Sequence, residues 1–423
     1  MKYAPFAVLV ISLSACGDDP PAERDVDSGP LDAGPEPSKC APVGGVLRVS
    51  QRGDVFDPLV DGDAAWPTIA AADDGVYVAW NTEPDDVVDP GGVERVYLAR
   101  LDSAGARQGD PIEVGDGGRA PSVAASGGDV AIAWREVGID GAGDPLRSVQ
   151  VSVIGAGLAL AAGTPIPNAE PLTSPSLVGA TSGGGWGLAL TVDPSDLAFI
   201  RLDGAATTAT PEPKPVVVAT IWARPVVVAT PDGFAIGYTQ DQGLHLQRVD
   251  DSGAAAGGPV DVAGGSFVPC RDDGGGRVCE QYSTSLAVTV SSDTIFLFNE
   301  SGDVPASPDH RIYIHGVGLD GTSRLNSQTL LTARGPARNP AAVWTGDGVA
   351  LVWSDGRDAD SDLAGAFIAA DGTPIGGGGS LGAARGDAET PAVAWLGSDA
   401  IVAYSSGESP ARTILVQKFD CAP

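Results

Sequence analysis

Histidine, methionine and basic side chains are scarce in this chain of 423 residues, and each shortage removes a class of function. Three histidines (His245, His310 and His315) leave little for proton transfer near neutral pH or for a histidine-rich metal centre. Lysine and arginine number 25 against 55 aspartates and glutamates, a formal net charge of −30. The clustered cations that hold nucleic acid or an anionic bilayer are therefore missing, and no nucleic-acid partner is expected. Such an acid surplus suits a solvated surface, and leaves cationic partners or calcium open. Beyond the first sixteen residues no apolar run is long enough to span a bilayer. A nucleophile elbow, a phosphate-binding loop and a His-Glu zinc motif are all absent. Cysteine is limited to five, none in a Cys-x-x-Cys pair, which favours disulfides over zinc.

What is present begins with a targeting segment. Lys2 precedes the apolar residues 4–13, and Leu13-Ser14-Ala15-Cys16 ends the stretch. This resembles a bacterial lipoprotein signal, which implies removal of residues 1–15 and acylation of Cys16. The membrane contact would then be the lipid anchor alone, in the outer membrane, with the body facing the periplasm or the outside. Residues 16–39 are rich in Pro, Asp, Glu and Gly and poor in large apolar groups. Such a segment buries too little surface to offset its chain entropy and reads as a disordered tether.

Residues 40–423 carry a repeat. A proline, several small apolar residues, a Gly/Asp turn and an apolar run ending in an aromatic recur from Pro67, Pro121, Pro175, Pro225, Pro340 and Pro391. A degenerate copy, TSLAVTVSSDTIFLF, starts at Thr284, and the seven anchors are spaced by 54, 54, 50, 59, 56 and 51 residues. Each copy reads as four short strands joined by Gly/Asp turns. Runs such as VYVAW and ALVW are apolar at successive positions, the pattern of strands buried on both faces. Stacked propeller blades bury both faces of a sheet; a two-sheet sandwich does not. The expected fold is all-β, a single propeller of seven four-stranded blades.

The last repeat stops after three strands, and an unassigned strand-like piece, residues 45–50, precedes the first. This N-terminal strand is expected to complete the last blade. Cys40 and Cys421 would then meet in a disulfide, and Cys270 with Cys279, bracketing a turn-rich loop, would form a second.

The phrase ALVWSDGRDADSDLAGAFIAADGTPIG, residues 350–376, resembles the repeats of bacterial exported propeller lipoproteins. That resemblance implies a fold and a location, and no reaction.

Three groups of residues are candidates for chemistry. Arg119, Arg224 and Arg338 stand one or two residues before a strand-opening proline, where they would clasp a carboxylate or sulfate at the channel mouth. Trp66 and Trp222 precede inner strands and are rim candidates for stacking on a sugar. Asp355, Asp358, Asp360 and Asp362 put alternating hard oxygen ligands on one loop, as calcium would need. No other cofactor is indicated, and no residue is assigned as catalytic. The leading expectation is a non-enzymatic binding or scaffold module of the cell envelope, with an envelope protein or glycan as partner. The alternatives are an envelope glycan hydrolase or lyase of propeller type and a calcium-dependent adhesion module. Oligomeric state is left open.

Overall fold

Alternation along the second strand of each repeat explains how the sheets stack. In blade 1, Val76, Val78 and Trp80 point into a core shared with the last blade, while Tyr77 and Ala79 point into one shared with blade 2. Both faces of VYVAW are thus buried, and the same division recurs at Trp353 and Val352 in blade 6. The computed structural model describes residues 40–421 apart from 52–62, 84–93, 140, 145, 147, 156–157, 170–173, 182–183, 193–195, 207–213, 218–223, 241–242, 264–269, 273–276, 280–284, 303–309, 330–336, 357–361, 382–387 and 408–411. The expected signal peptide, Cys16 and the tether 16–39 lie outside the described residues.

Blades 1 to 6 comprise residues 63–116, 118–167, 176–217, 226–263, 286–329 and 337–380. Each is an antiparallel meander of four strands in sequence order. The first strand of every blade packs on the first strand of the next, round to blade 7 and back to blade 1. A closed ring of inner strands therefore surrounds a central axis: the protein is a seven-bladed β-propeller.

Blade 7 takes Ala388–Leu396, Asp399–Ser406 and Thr413–Cys421 from one end of the folded region and Cys40–Arg48 from the other. Cys40 lies opposite Cys421, and Leu47 opposite Val416. A disulfide joins those two cysteines. The closing strand starts five residues earlier than the repeat boundary suggested, and Val49 and Ser50 lie beyond it. Val49 is fully buried, and its N–H donates to the Ile414 carbonyl at 2.9 Å. A separate ribbon, Cys270–Asp272 with Arg277–Cys279, sets Cys270 opposite Cys279. The bond expected between them falls on side chains outside those described.

The degenerate repeat at Thr284 still builds a whole blade, with a longer first turn: Val290 faces Ile295, where blade 1 pairs Ala72 with Gly75. In blades 1 and 4 that tight turn needs glycine. Gly75 and Gly233 have φ of 143° and 144°, and a Cβ on either would collide with the third-strand carbonyl of Leu101 or Val249.

Side-chain hydroxyls fasten consecutive inner strands. Immediately after the strand-opening prolines, Thr68 Oγ1 accepts from the Val123 N–H at 3.3 Å and Ser122 Oγ from Leu177 N–H at 3.0 Å. Ser176 Oγ accepts from Val227 N–H at 3.0 Å. Blades 1 to 4 are thus linked in series where backbone ladders cannot reach between sheets.

Candidate active site

Inner strands start at one rim of the ring, and the antiparallel second strands end there. This proline rim surrounds one mouth of the central channel. Just before the proline, four inner strands carry a bulge whose residue is left-handed: Trp66 (φ 54°), Ala120 (50°), Asn339 (52°) and Thr390 (46°). The ladder slips at each, between Ala65 and Thr68, Arg119 and Ser122, Arg338 and Ala341, and Glu389 and Ala392. A residue with a side chain held there costs about 1–3 kcal/mol, so the conformation persists only where the surroundings impose it. The bulge turns the side chains of this short segment away from the regular strand alternation.

Blades 6, 7 and 1 are consecutive around the ring, and their bulges carry Arg338, Glu389 and Trp66. All three are exposed, and Trp66, at 47%, is one of four exposed large apolar side chains among the described residues. Arg338 has no ion-pair partner among the described residues. This arc therefore presents a cation, a carboxylate and an indole face side by side.

Across the mouth the cations are engaged. Arg119 Nε pairs with Glu94 Oε2 at 3.1 Å. Arg224, from blade 4, donates to the carbonyls of Pro121 in blade 2 and Pro175 in blade 3, at 3.3 and 3.2 Å. Burial lowers its pKa from 12.5 to about 10, which leaves it charged at physiological pH. The three arginines singled out from the sequence thus share the rim but have no common partner among the described residues.

Behind the bulges lies a ring of buried polar residues. In six blades the residue after the second-strand aromatic, or after Leu190 in blade 3, fills it: Asn81, Arg135, Thr191, Thr239, Ser354 and Ser405. In blade 5, Asn299 stands opposite Tyr313 as Trp80 stands opposite Tyr97, so Glu300 takes the place. Each of the seven shares strand parity with side chains that pack on the following blade. Two of them close off bulge backbone. Glu300 Oε2 accepts from Ser285 Oγ at 2.7 Å and from the left-handed Asn339 N–H at 3.2 Å. Ser405 Oγ donates to the Glu389 carbonyl at 3.1 Å. Arg135 lies directly opposite Arg119 in the ladder, adding a second cation to blade 2.

Trp222, Asp358 and Asp360 lie outside the described residues. Asp355 is buried and faces Asp362 across the strand pair. No group of three or more His, Cys, Asp or Glu side chains is arranged for a metal among the described residues. His245 Nδ1 sits 2.9 Å from Asp261, and its ring stacks on Tyr238. His315 Nε2 meets Asn299 Oδ1 at 2.9 Å, and burial lowers its pKa to about 4, so it stays neutral within the core.

The sequence expectation covers only the cations before the prolines, so Glu389 and Glu300 fall outside it. Glu389 occupies the same proline-minus-two position as Arg119 and Arg338. Glu300 is displaced from its repeat position by the longer turn.

No family model matches this chain, and no curated protein does either. Solved structures do share its architecture. Polysaccharide lyase Uly1 superposes with a TM-score of 0.51 at 13% identity, over 88% of this chain and 92% of that one. An α-L-arabinanase of Penicillium chrysogenum complexed with arabinobiose gives 0.48 at 14% identity, over 88% and 97%. An α-L-arabinofuranosidase of Fusarium graminearum, also with arabinobiose, gives 0.49 at 14%, over 90% and 98%. At these identities the likeness is one of fold. It corrects the sequence reading in two respects. Placing the chain among exported propeller lipoproteins without a reaction is set aside, because a propeller that it matches at a TM-score above 0.5 is a polysaccharide lyase. The non-enzymatic envelope scaffold, and the description as purely a binding lipoprotein of the outer membrane, are given up with it. A repeat that encodes blade packing carries no information about what the rim does.

Proposed function

We propose that the protein is a glycan-cleaving enzyme, a hydrolase or lyase of propeller type, with its site on the arc of Arg338, Glu389 and Trp66. The observation that carries the reading is Trp66. A bulky residue seldom adopts a left-handed conformation, and tryptophan is on average highly buried, whereas Trp66 is left-handed and 47% exposed. Here both occur in one residue at a channel mouth. An indole face is a suitable floor for the apolar face of a pyranose ring.

Beside it, Glu389 is an exposed carboxyl group placed to move a proton to or from the glycosidic oxygen as the C–O bond breaks. Arg338 would stabilise negative charge developing on the substrate. In hydrolysis water then bonds to the anomeric carbon and its proton returns to Glu389; in elimination the Glu389 carboxylate instead takes a ring proton and passes it to the leaving oxygen as a C=C bond replaces the broken C–H and C–O bonds. The disulfide between Cys40 and Cys421 fits an oxidising, extracytoplasmic location.

The test is turnover against a panel of neutral and acidic polysaccharides. New reducing ends alone mark a hydrolase; reducing ends with unsaturated sugar termini mark a lyase. E389Q is expected to lower kcat by about 10²-fold or more. W66A is expected to raise KM about tenfold, equivalent to about 1.4 kcal/mol of lost stacking, with kcat less affected. Full turnover by E389Q, or no cleavage anywhere in the panel, would remove the reading.

A further inference from the structure

Arg224 is an anomaly of charge placement. The chain has 55 acidic residues for 25 basic ones, yet no carboxylate accepts from this guanidinium among the described residues. Its described acceptors are the carbonyls of Pro121 and Pro175. A cation partly withdrawn from water with only neutral acceptors loses solvation without a compensating charge, and folded proteins ordinarily supply one. Asp74 does so for Arg100 at 2.8 Å, and Asp399 for Lys418 at 2.7 Å. Both are half-buried cations like Arg224, and both have a carboxylate where Arg224 has carbonyls.

The two carbonyls also fix where the group lies. Pro121 lies in the inner strand of blade 2 and Pro175 immediately before that of blade 3, whereas Arg224 stands two residues before blade 4, so the guanidinium bridges the starts of three blades at the rim of the mouth. Two acceptors leave N–H groups of a five-donor fork unspent. The residue is only half-buried, so a ligand has access. Arg119, paired with Glu94, and Arg135 stand in the same arc. The cationic arc of blades 2 to 4 therefore lies across the mouth from the Arg338–Glu389–Trp66 arc.

We propose that Arg224 is the anchor of an anion subsite, and that the missing counter-charge is a carboxylate or sulfate of the substrate, an acidic glycan. The substrate half of this rests on the glycan-cleaving reading above; the anion subsite does not. An acidic chain would be repelled by most of the molecule and attracted at this mouth, which orients it. One sugar acid on Arg224 would hold the chain across the channel while a neighbouring sugar lies on Trp66.

The decisive measurement is equilibrium binding of the purified protein to acidic oligosaccharides, each paired with its methyl-esterified or desulfated counterpart. The panel includes galacturonate, glucuronate and sulfated oligomers, with sodium sulfate alone as a further probe. At least one acidic oligomer is expected to bind tenfold or more tightly than its neutralised form, with affinity falling as salt rises. R224Q, with its melting temperature checked, is expected to abolish that preference. Equal binding of acid and neutral forms, no binding to any probe, or a preference that survives in folded R224Q overturns the subsite. If R224Q does not fold, an iodide-soaked crystal of the wild type decides: iodide against Arg224 supports the subsite, and iodide only elsewhere overturns it. Neutral glycan bound and cleaved without acid preference overturns the subsite and leaves the enzyme reading standing. Sulfate bound at Arg224 with no oligosaccharide bound does the reverse.

Discussion

Single aspartates set the turns on the rim opposite the prolines. At the start of the third-to-fourth strand turn, Asp250 Oδ1 accepts from the Ser252 and Ala254 N–H groups at 2.9 and 3.0 Å. Asp320 and Asp371 accept in the same way from Thr322 and Thr373. These bonds favour the ionised form, and the pKa of all three lies below the usual carboxylate value, with the Ser252 hydroxyl first among the causes at Asp250. A carboxylate whose pKa is lowered on folding stabilises the fold above its unfolded pKa of about 3.9 and loses that contribution as pH falls through the lower folded value. The triple variant D250N/D320N/D371N, followed by acid titration of circular dichroism, is therefore expected to show a flatter loss of stability below pH ~4 than wild type. A parallel loss in both proteins would mean that these turns do not sense acid. The same residues account for part of the large negative charge, which is thus partly a turn chemistry repeated from blade to blade.

At the scale of the element, the inner strand carries most of the information. Its proline, its small residues and the aromatic of its partner strand were readable because packing between blades demands them at one spacing. Thr68, Ser122 and Ser176 follow that proline at an equally regular place, and their hydroxyls link neighbouring strands. S122A would leave the Leu177 N–H without its acceptor at a buried position, at a cost of about 1–3 kcal/mol. A fall in the urea midpoint with an unchanged m-value would show this, and no change would mean that water takes the place of the hydroxyl. The site was less legible. Arg119, Arg224, Arg338 and Trp66 are identifiable by their offset from the proline, but the left-handed bulge that carries Arg119, Arg338 and Trp66 leaves no residue signature: tryptophan, alanine, asparagine and threonine all adopt it. Glu300 was hidden because a longer turn in blade 5 shifts the second strand against the repeat frame.

For the molecule as a whole, stability depends on closing a ring. Each blade packs on two neighbours, so an unclosed seventh blade would expose one sheet edge and loosen the contacts on either side. The closing strand Cys40–Arg48 is mostly exposed, with Val43 and Val46 open to solvent, and gains little from burial. Its attachment rests on ladder bonds and the disulfide, whose cysteines are 381 residues apart. C40S/C421S is expected to lose about 2–5 kcal/mol, measured as a lowered denaturation midpoint, and to become sensitive to proteases near the closing strand. An unchanged midpoint and protease pattern would place the lock in the ladder alone.

That closure also sets an order in time. Cys40–Arg48 is made before any blade, yet its partner Thr413–Cys421 is the last strand produced. As the chain grows, blades 1 to 6 can stack as they emerge, but the first strand must wait unpaired until the last arrives. Until then its edge is open to the wrong neighbour and Cys40 to the wrong thiol. The ring thus acts as its own test of completeness, since a chain cut short before Thr413 has nothing with which to latch.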